Sequence, residues 1–204
     1  MYSGTQKCLS CVPGLSPVTF SEKAQAAIQS RGQRAQSWFL DLELVMAYWG
    51  EGAQRSYHHT APINSLYALH ESLVILKEEG LENAWARHRL NHEALAAGLE
   101  ALNIEFLVDA EYRLPQLNCV RFPAGVDDAA VRKQLLQEFS LEIGAGLGPL
   151  AGKVWRIGLM GFASNEKNVL FCLGALEAVL AGQGVKVDAG ESVSAARAVY
   201  TAAA

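Results

Sequence analysis

Apolar positions in this chain follow a helical period up to about residue 102 and change character from residue 104 onward. In the first stretch, Ser21 is placed to cap a helix over Glu22–Ser30, with its acidic residue in the first turn, where the helix dipole favours it. Trp38, Leu42, Val45, Met46 and Trp49 recur at helical spacing across Ser37–Trp49 and predict a second helix, with the tryptophans and Met46 packed in a core. A polar connection, Glu51–Ala61, carries Tyr57-His58-His59-Thr60. Thr60 is expected to cap a third helix, Ile63–Glu79, with Pro62 in its first turn, where a missing N–H costs nothing. Leu66, Leu69, Leu73 and Leu76 share one face of it, and Gly80 stops it. A fourth helix is predicted over Glu82–Leu102, with Leu95, Leu99 and Leu102 apolar and Arg87, His88 and Arg89 mostly solvated.

Beyond residue 104 short apolar runs predict strands at Ile104–Val108 and Leu117–Phe122. An aspartate of Val126-Asp127-Asp128 can cap a helix over Ala129–Phe139. Strands follow at Leu141–Ile143 and Val154–Leu159, joined through Gly144-Ala-Gly-Leu-Gly-Pro149. Ser164 is expected to cap a closing helix, Asn165–Ala181, with Val169, Leu173, Leu176 and Leu180 on one face. This order after residue 80, α-β-β-α-β-β-α, reads as a layer of helices against a small sheet, an α+β unit with its own core. Residues 1–79 have helices but too little sheet to cover them, with residues 1–6 reading as a strand end that runs into Lys7 and a loop, Leu9–Pro17. That part reads as half of a larger domain. Residues 183–204 are small and polar and are expected to be a disordered tail.

Half of the 204 residues are hydrophobic and 19% are charged, which is a globular balance. The formal charge of −4 and the absence of any Lys/Arg block argue against nucleic acid and against a polybasic membrane patch. No apolar run approaches the roughly 20 residues that span a bilayer, and neither end carries a targeting pattern, so a cytoplasmic protein is expected. Cys8-Leu-Ser-Cys11 has the spacing of a redox pair or half a zinc site. Pro13-Gly14 favours a turn rather than a redox helix, and a second ligand pair for zinc is missing, so no metal is expected. Cys119, in an apolar strand, and Cys172, in a helix, read as buried thiols.

Lys7 is the first candidate for chemistry. A lysine at a strand end that becomes partly buried turns nucleophilic toward an aldehyde, although a lysine at such a junction, taken alone, is more often solvated. The string around it, Tyr2-Ser-Gly-Thr-Gln-Lys7 followed by Pro13-Gly14, resembles the cofactor-lysine segment of class V pyridoxal-phosphate (PLP) aminotransferases, in particular the alanine–glyoxylate and serine–pyruvate aminotransferase family. That family typically reads Tyr-Ser-Gly-Ser-Gln-Lys, with Pro-Gly at the same distance. Tyr57-His-His-Thr-Ala-Pro-Ile63 is similar to the segment that reaches the cofactor phosphate of the neighbouring subunit. Gly80-Leu-Glu-Asn-Ala-Trp85 and Arg113-Leu-Pro115 are further family-like stretches. Gly146–Gly161, which contains Trp155-Arg156-Ile-Gly, resembles the segment bearing the substrate-carboxylate arginine. The resemblance covers residues 2 to about 182.

The resemblance implies a PLP-transferase fold of type I, an α/β architecture that would be incomplete here. Residues 1–79 would be the C-terminal part of the large cofactor-binding domain and 80–182 the small α+β domain. It implies that Lys7 carries the cofactor as a Schiff base and moves the substrate Cα proton, and that Gln6 hydrogen-bonds the phosphate. Tyr57 and Thr60 would donate hydroxyls to the phosphate across a homodimer interface, and Arg156 would grip the α-carboxylate with both arms of its guanidinium. The implied activity moves an amino group from alanine or serine to glyoxylate or pyruvate. Members of the family are longer than this chain, and their N-terminal half supplies the ring-stacking aromatic and the aspartate on the pyridine nitrogen. We therefore expect a fragment, a mis-started frame or part of a split protein, inactive by itself. The alternative is a non-catalytic chain serving as a dimerisation or regulatory subunit. A cysteine desulfurase is disfavoured, because Cys119 and Cys172 lie in regular elements rather than on a mobile loop. Gly144-x-Gly146-x-Gly148 is not a dinucleotide loop, since no helix follows it, and His58-His59 reads as a polar loop pair rather than a metal site.

Overall fold

The computed structural model describes residues 1–48 and 56–204. The chain divides into two compact units, Met1–Gln6 with Cys11–Glu71, and Lys7–Ser10 with Ser72–Ala204. The division thus falls inside the third helix rather than at its end, and it assigns the segment around Lys7 to the second unit.

In the first unit the opening residues run antiparallel to residues 17–19. Tyr2 bridges Val18, and the N–H of Ser3 donates to the Pro17 carbonyl at 2.9 Å. Helix α1 spans Glu22–Ser30, and the Ser21 hydroxyl accepts the Ala24 N–H at 3.3 Å, the expected cap. The expected helix over Ser37–Trp49 contracts to α2, Leu42–Met46, because the Asp41 carboxylate accepts the Glu43 N–H and starts the helix there. Trp38 consequently lies outside the helix, 57% exposed, and is not core; Trp49 and residues 50–55 lie outside the described residues. Helix α3 spans Ile63–Glu79 as expected. Its first bond is accepted by the Pro62 carbonyl, from the Leu66 N–H at 3.0 Å, so Thr60 stands too far upstream to be its cap. None of the α3 side chains is buried, and Ile63, Leu66, Leu73 and Ile75 are exposed.

The second unit holds α4 (Leu81–Ala101), β1 (Leu117–Arg121), α5 (Asp128–Phe139), β2 (Gly144–Ala145), β3 (Val154–Gly158), α6 (Glu166–Gly182) and α7 (Glu191–Ala203). The three strands form an antiparallel sheet in the order β1-β3-β2, with Arg156 of β3 standing opposite Cys119 on one side and Gly144 on the other. The strand expected at Ile104–Val108 is reduced to one bridge, Phe106 to Val120, flanked by hydrogen bonds from Leu107 to Cys119 and from Arg121 to Glu105. Leu141–Ile143 stays unpaired, and pairing begins at Gly144, where a missing side chain leaves room for the Arg156 guanidinium. Asp127 caps α5 as expected, whereas α6 is capped by Asn165, whose side-chain oxygen accepts the Asn168 N–H at 2.9 Å, and not by Ser164. Val169, Leu173, Leu176 and Leu180 form the expected inner face of α6 and are fully buried, together with Leu95 and Leu99 of α4 and Trp155 of β3. Cys119 lies in β1 and is only partly buried, not buried as expected, whereas Cys172 is buried in α6, where burial pushes its thiol up to about 12.

The expected disordered tail is a correction: residues 191–203 form α7, which packs on α4 and α6. Ser192 and Ala196 are fully buried, and Val199 and Tyr200 complete one face at helical spacing. The small residues read as flexible are what allow the helices to approach. A Cβ on Gly98 of α4 would meet Leu173 at 2.3 Å and the Ser192 carbonyl at 2.8 Å. Glu177 of α6 accepts the Ser192 hydroxyl at 2.6 Å, and Tyr200 donates its hydroxyl to Asn91 at 2.7 Å.

Candidate functional site

The loop that carries Lys7 is closed at its base by Thr5, which is fully buried. Its hydroxyl donates to the Val12 carbonyl at 2.7 Å, and its carbonyl accepts the Cys11 N–H at 3.1 Å. Within the loop the Lys7 carbonyl accepts the Ser10 N–H at 2.9 Å. Gln6 and Lys7 are both exposed, so the partial burial envisaged for Lys7 is not provided by this chain.

Tyr57 and Thr60 are brought together, their hydroxyls 2.8 Å apart and both exposed. The residues between them fix that segment. His58 is buried, its ring stacked on Trp38 with centroids 4.0 Å apart, and its Nε2 donates to the Trp38 carbonyl at 3.1 Å. His58 Nδ1 lies 2.8 Å from His59 Nδ1, and the Tyr48 hydroxyl bonds the His59 carbonyl and accepts its N–H. The pair is thus an internal brace rather than a polar loop surface. Among the described residues no three His, Cys, Asp or Glu side chains gather as a metal site.

Arg156 is half-buried in β3. Its Nε donates to the Ala145 carbonyl at 2.7 Å, and its side chain lies over Gly144, where an added Cβ would meet the guanidinium at 3.2 Å. Its two terminal nitrogens have no hydrogen-bond partner among the described residues, which leaves a fixed fork able to accept a carboxylate bidentately. Lys7 and Arg156 belong to the second unit and share no hydrogen bond; Gln6, Tyr57 and Thr60 belong to the first.

Sequence reasoning missed Arg87 and His88, which were expected to be solvated. His88 is 4% exposed, and Arg87 is ion-paired to Glu79, its Nη2 at 2.9 Å from Oε2. That hydrogen bond holds the Glu79 carboxyl below its ordinary value. Arg87 Nη1 also donates to the carbonyls of Gly161 and Ser164, each at 2.8 Å. These residues border a cavity of about 490 Å³, lined also by Cys8, Leu9 and Ser10 of the loop and by Leu76, Trp85 and Phe162. The signal was present: carrying the Leu95, Leu99, Leu102 stripe back toward the start of α4 lands on Asn91, His88 and Ala84, all buried.

The chain belongs to the class V PLP-dependent aminotransferases and carries part of their type I fold. It is 40% identical to the (S)-ureidoglycine–glyoxylate transaminase of Bacillus subtilis over 215 aligned positions, which cover 97% of this chain and 51% of that protein. The crystal structure of the ureidoglycine–glyoxylate aminotransferase from Bacillus subtilis superposes with a TM-score of 0.94 at 42% identity, covering 98% of this chain and 51% of that one. The alanine–glyoxylate aminotransferase of Callithrix jacchus is 42% identical over 182 residues, 88% of this chain and 44% of that protein. The chain therefore spans about half the length of the curated relatives it matches. No protein-family model matches it.

Proposed function

We propose that this protein takes part in PLP-dependent transamination, moving the amino group of a small amino acid, alanine or serine, to glyoxylate or pyruvate. The observation that carries this reading is Arg156, anchored through Nε while its terminal nitrogens stay open to an α-carboxylate. Glyoxylate as acceptor is supported by its appearance in the names of both curated relatives, which differ in their amino donor.

The donors present suit PLP. Lys7 offers an exposed primary amine on a loop that Thr5 pins, and Tyr57 and Thr60 offer two adjacent hydroxyls on an exposed segment, a natural pair for phosphate oxygens. When bound, the cofactor supplies an electron-withdrawing ring that stores the electron pair left by removal of a Cα proton. The chain's own residues do the rest. Lys7 would hold the cofactor covalently, and its Nζ would take up and return the Cα proton. Gln6 donates to the phosphate beside it. Tyr57 and Thr60 serve the phosphate of a neighbouring subunit in a homodimer. Arg156 fixes the carboxylate, and with it the direction in which the Cα–H bond points.

A second reading, a non-catalytic dimerisation or regulatory chain, is favoured by α3, whose apolar side chains Ile63, Leu66, Leu73 and Ile75 are all exposed. One experiment separates the two. The purified protein is mixed with PLP, alone and with the half of the Bacillus subtilis relative that this chain does not match, then reduced with borohydride and mapped by mass spectrometry. Labelling at Lys7 in either mixture, absent in Lys7→Ala, supports the transaminase; no labelling in both would remove that reading and leave the second. In a labelling-competent mixture, Arg156→Lys keeps the charge but loses the bidentate fork, and kcat/KM for the amino donor is expected to fall about 10–100-fold while Lys7 labelling persists.

A further inference from the structure

We propose that His88 is a positioning residue for the Lys7 segment, acting through the turn at Gly161 and Phe162; this rests on reading Lys7 as the cofactor lysine. His88 is buried in α4 with both ring nitrogens engaged by backbone groups. Nδ1 lies 2.6 Å from the Ala84 carbonyl, which can only accept, so Nδ1 carries the proton. Nε2 lies 3.0 Å from the Gly161 nitrogen, which can only donate, so Nε2 is the bare acceptor. One tautomer of the neutral imidazole satisfies both, and it ties Gly161 to the helix.

Gly161 in turn meets the lysine loop at a distance only glycine permits. It sits at φ +57°, and a Cβ there would fall 1.8 Å from the Ser10 hydroxyl oxygen and 2.9 Å from the Cys8 carbonyl. The next residue, Phe162, donates its N–H to that same Ser10 hydroxyl at 2.7 Å. Ser10 closes back on the Lys7 carbonyl at 2.9 Å. A continuous path of hydrogen bonds and close packing therefore runs from α4 through His88, Gly161, Phe162 and Ser10 to Lys7. Arg87 reinforces it by holding the Gly161 carbonyl from the other side. Among the described residues, the Lys7 side chain makes no hydrogen bond or ion pair that would fix its position, so the backbone of the loop is what sets where the amine is presented.

What position 88 must supply is an acceptor at the reach of Nε2. His88→Gln keeps one in its side-chain oxygen, and His88→Leu removes it at similar volume. Amide hydrogen exchange on the full chain reads the path directly. In His88→Leu, exchange at Gly161, Phe162 and Ser10 should rise about ten-fold or more, with Leu173 and Leu176 unchanged; His88→Gln should stay within about three-fold of the parent. The yield of borohydride-trapped PLP on Lys7, under whichever condition labels the parent, should fall in His88→Leu and recover in His88→Gln. Should His88→Leu fail to fold, Ser10→Ala cuts the path at its exposed end, and faster exchange at Phe162 with a lower trapping yield is expected. Unchanged exchange at Phe162 and unchanged trapping in Ser10→Ala and His88→Leu would overturn the proposal, as would a His88→Gln variant indistinguishable from His88→Leu. If the exchange pattern follows expectation but the parent never traps PLP, the cofactor reading fails, and the positioning role with it.

Discussion

The two units differ in what they bury. In the second, the interior is aliphatic and aromatic: Leu95, Leu99, Trp155, Leu173 and Leu176 are sealed from solvent in one continuous cluster. In the first, the buried residues among those described are Thr5, Asp41 and His58, all polar. Each of these three ties down backbone: Thr5 the lysine loop, Asp41 the start of α2, and His58 the Trp38 carbonyl. Apolar burial is non-directional and stabilises in proportion to area, so it builds a unit without dictating loop shape. A buried hydrogen bond contributes less in net energy but fixes geometry, because an unsatisfied partner is costly. The first unit therefore has shaped loops on little hydrophobic foundation, and one of those loops carries the Tyr57–Thr60 pair. The second has a foundation from which one arginine projects.

The sharpest way to break this contrast is to truncate a leucine on each side. Leu176→Ala, at a fully buried α6 position, should cost about 2–5 kcal/mol in denaturant unfolding, whereas Leu66→Ala, 42% exposed on α3, should stay within about 0.5 kcal/mol. Equal losses would mean that α3 is covered in solution and that the contrast is wrong.

A smaller effect tests a polar anchor at the edge of the second unit's core. Asp128 accepts from Arg132 Nε and from the indole N–H of Trp155, each at 2.8 Å. The Arg132 hydrogen bond, with that of Trp155, outweighs partial burial and holds the Asp128 carboxyl below its ordinary value. A carboxyl lowered on folding stabilises the folded state fully above its unfolded pKa, about 3.9, and that contribution disappears as pH falls through the folded value. Asp128→Ala should therefore cost about 1–3 kcal/mol near pH 7, with part of the difference from the parent vanishing as the pH is lowered below about 4. A difference independent of pH across that window would show that the charge of Asp128 plays no part.

Legibility followed the range of the signals. Helices α1 and α3 and the inner face of α6 were read correctly because period and stop signals lie within a few residues of one another. Ser21 and Asp127 were likewise legible as caps. The motif around Lys7 and the distant Arg156 identified the family, since the chemistry of each role restricts which residues can stand there. Asn165 displaced Ser164 because adjacent residues can both cap, and only the path of the chain entering the helix selects one. Trp38 is expected in a core and stands exposed, and the one-sided stripe with Leu66 on α3 is uncovered, because an apolar stripe states what a face prefers, not whether anything covers it.

By itself, then, the sequence determined most of the helices, the family and the identity of the candidate residues. These rest on hydrogen bonds and periodicities that close within a turn or two, or on motif residues that keep their identity wherever they fold. Only the tertiary structure decided that pairing begins at Gly144, that the 191–203 segment docks as a helix against Gly98, and that His88 reaches Gly161. Each of these depends on a close approach between residues far apart in the chain. Small residues permit such approaches without announcing them, and a histidine does not reveal its partner until the partner is in place.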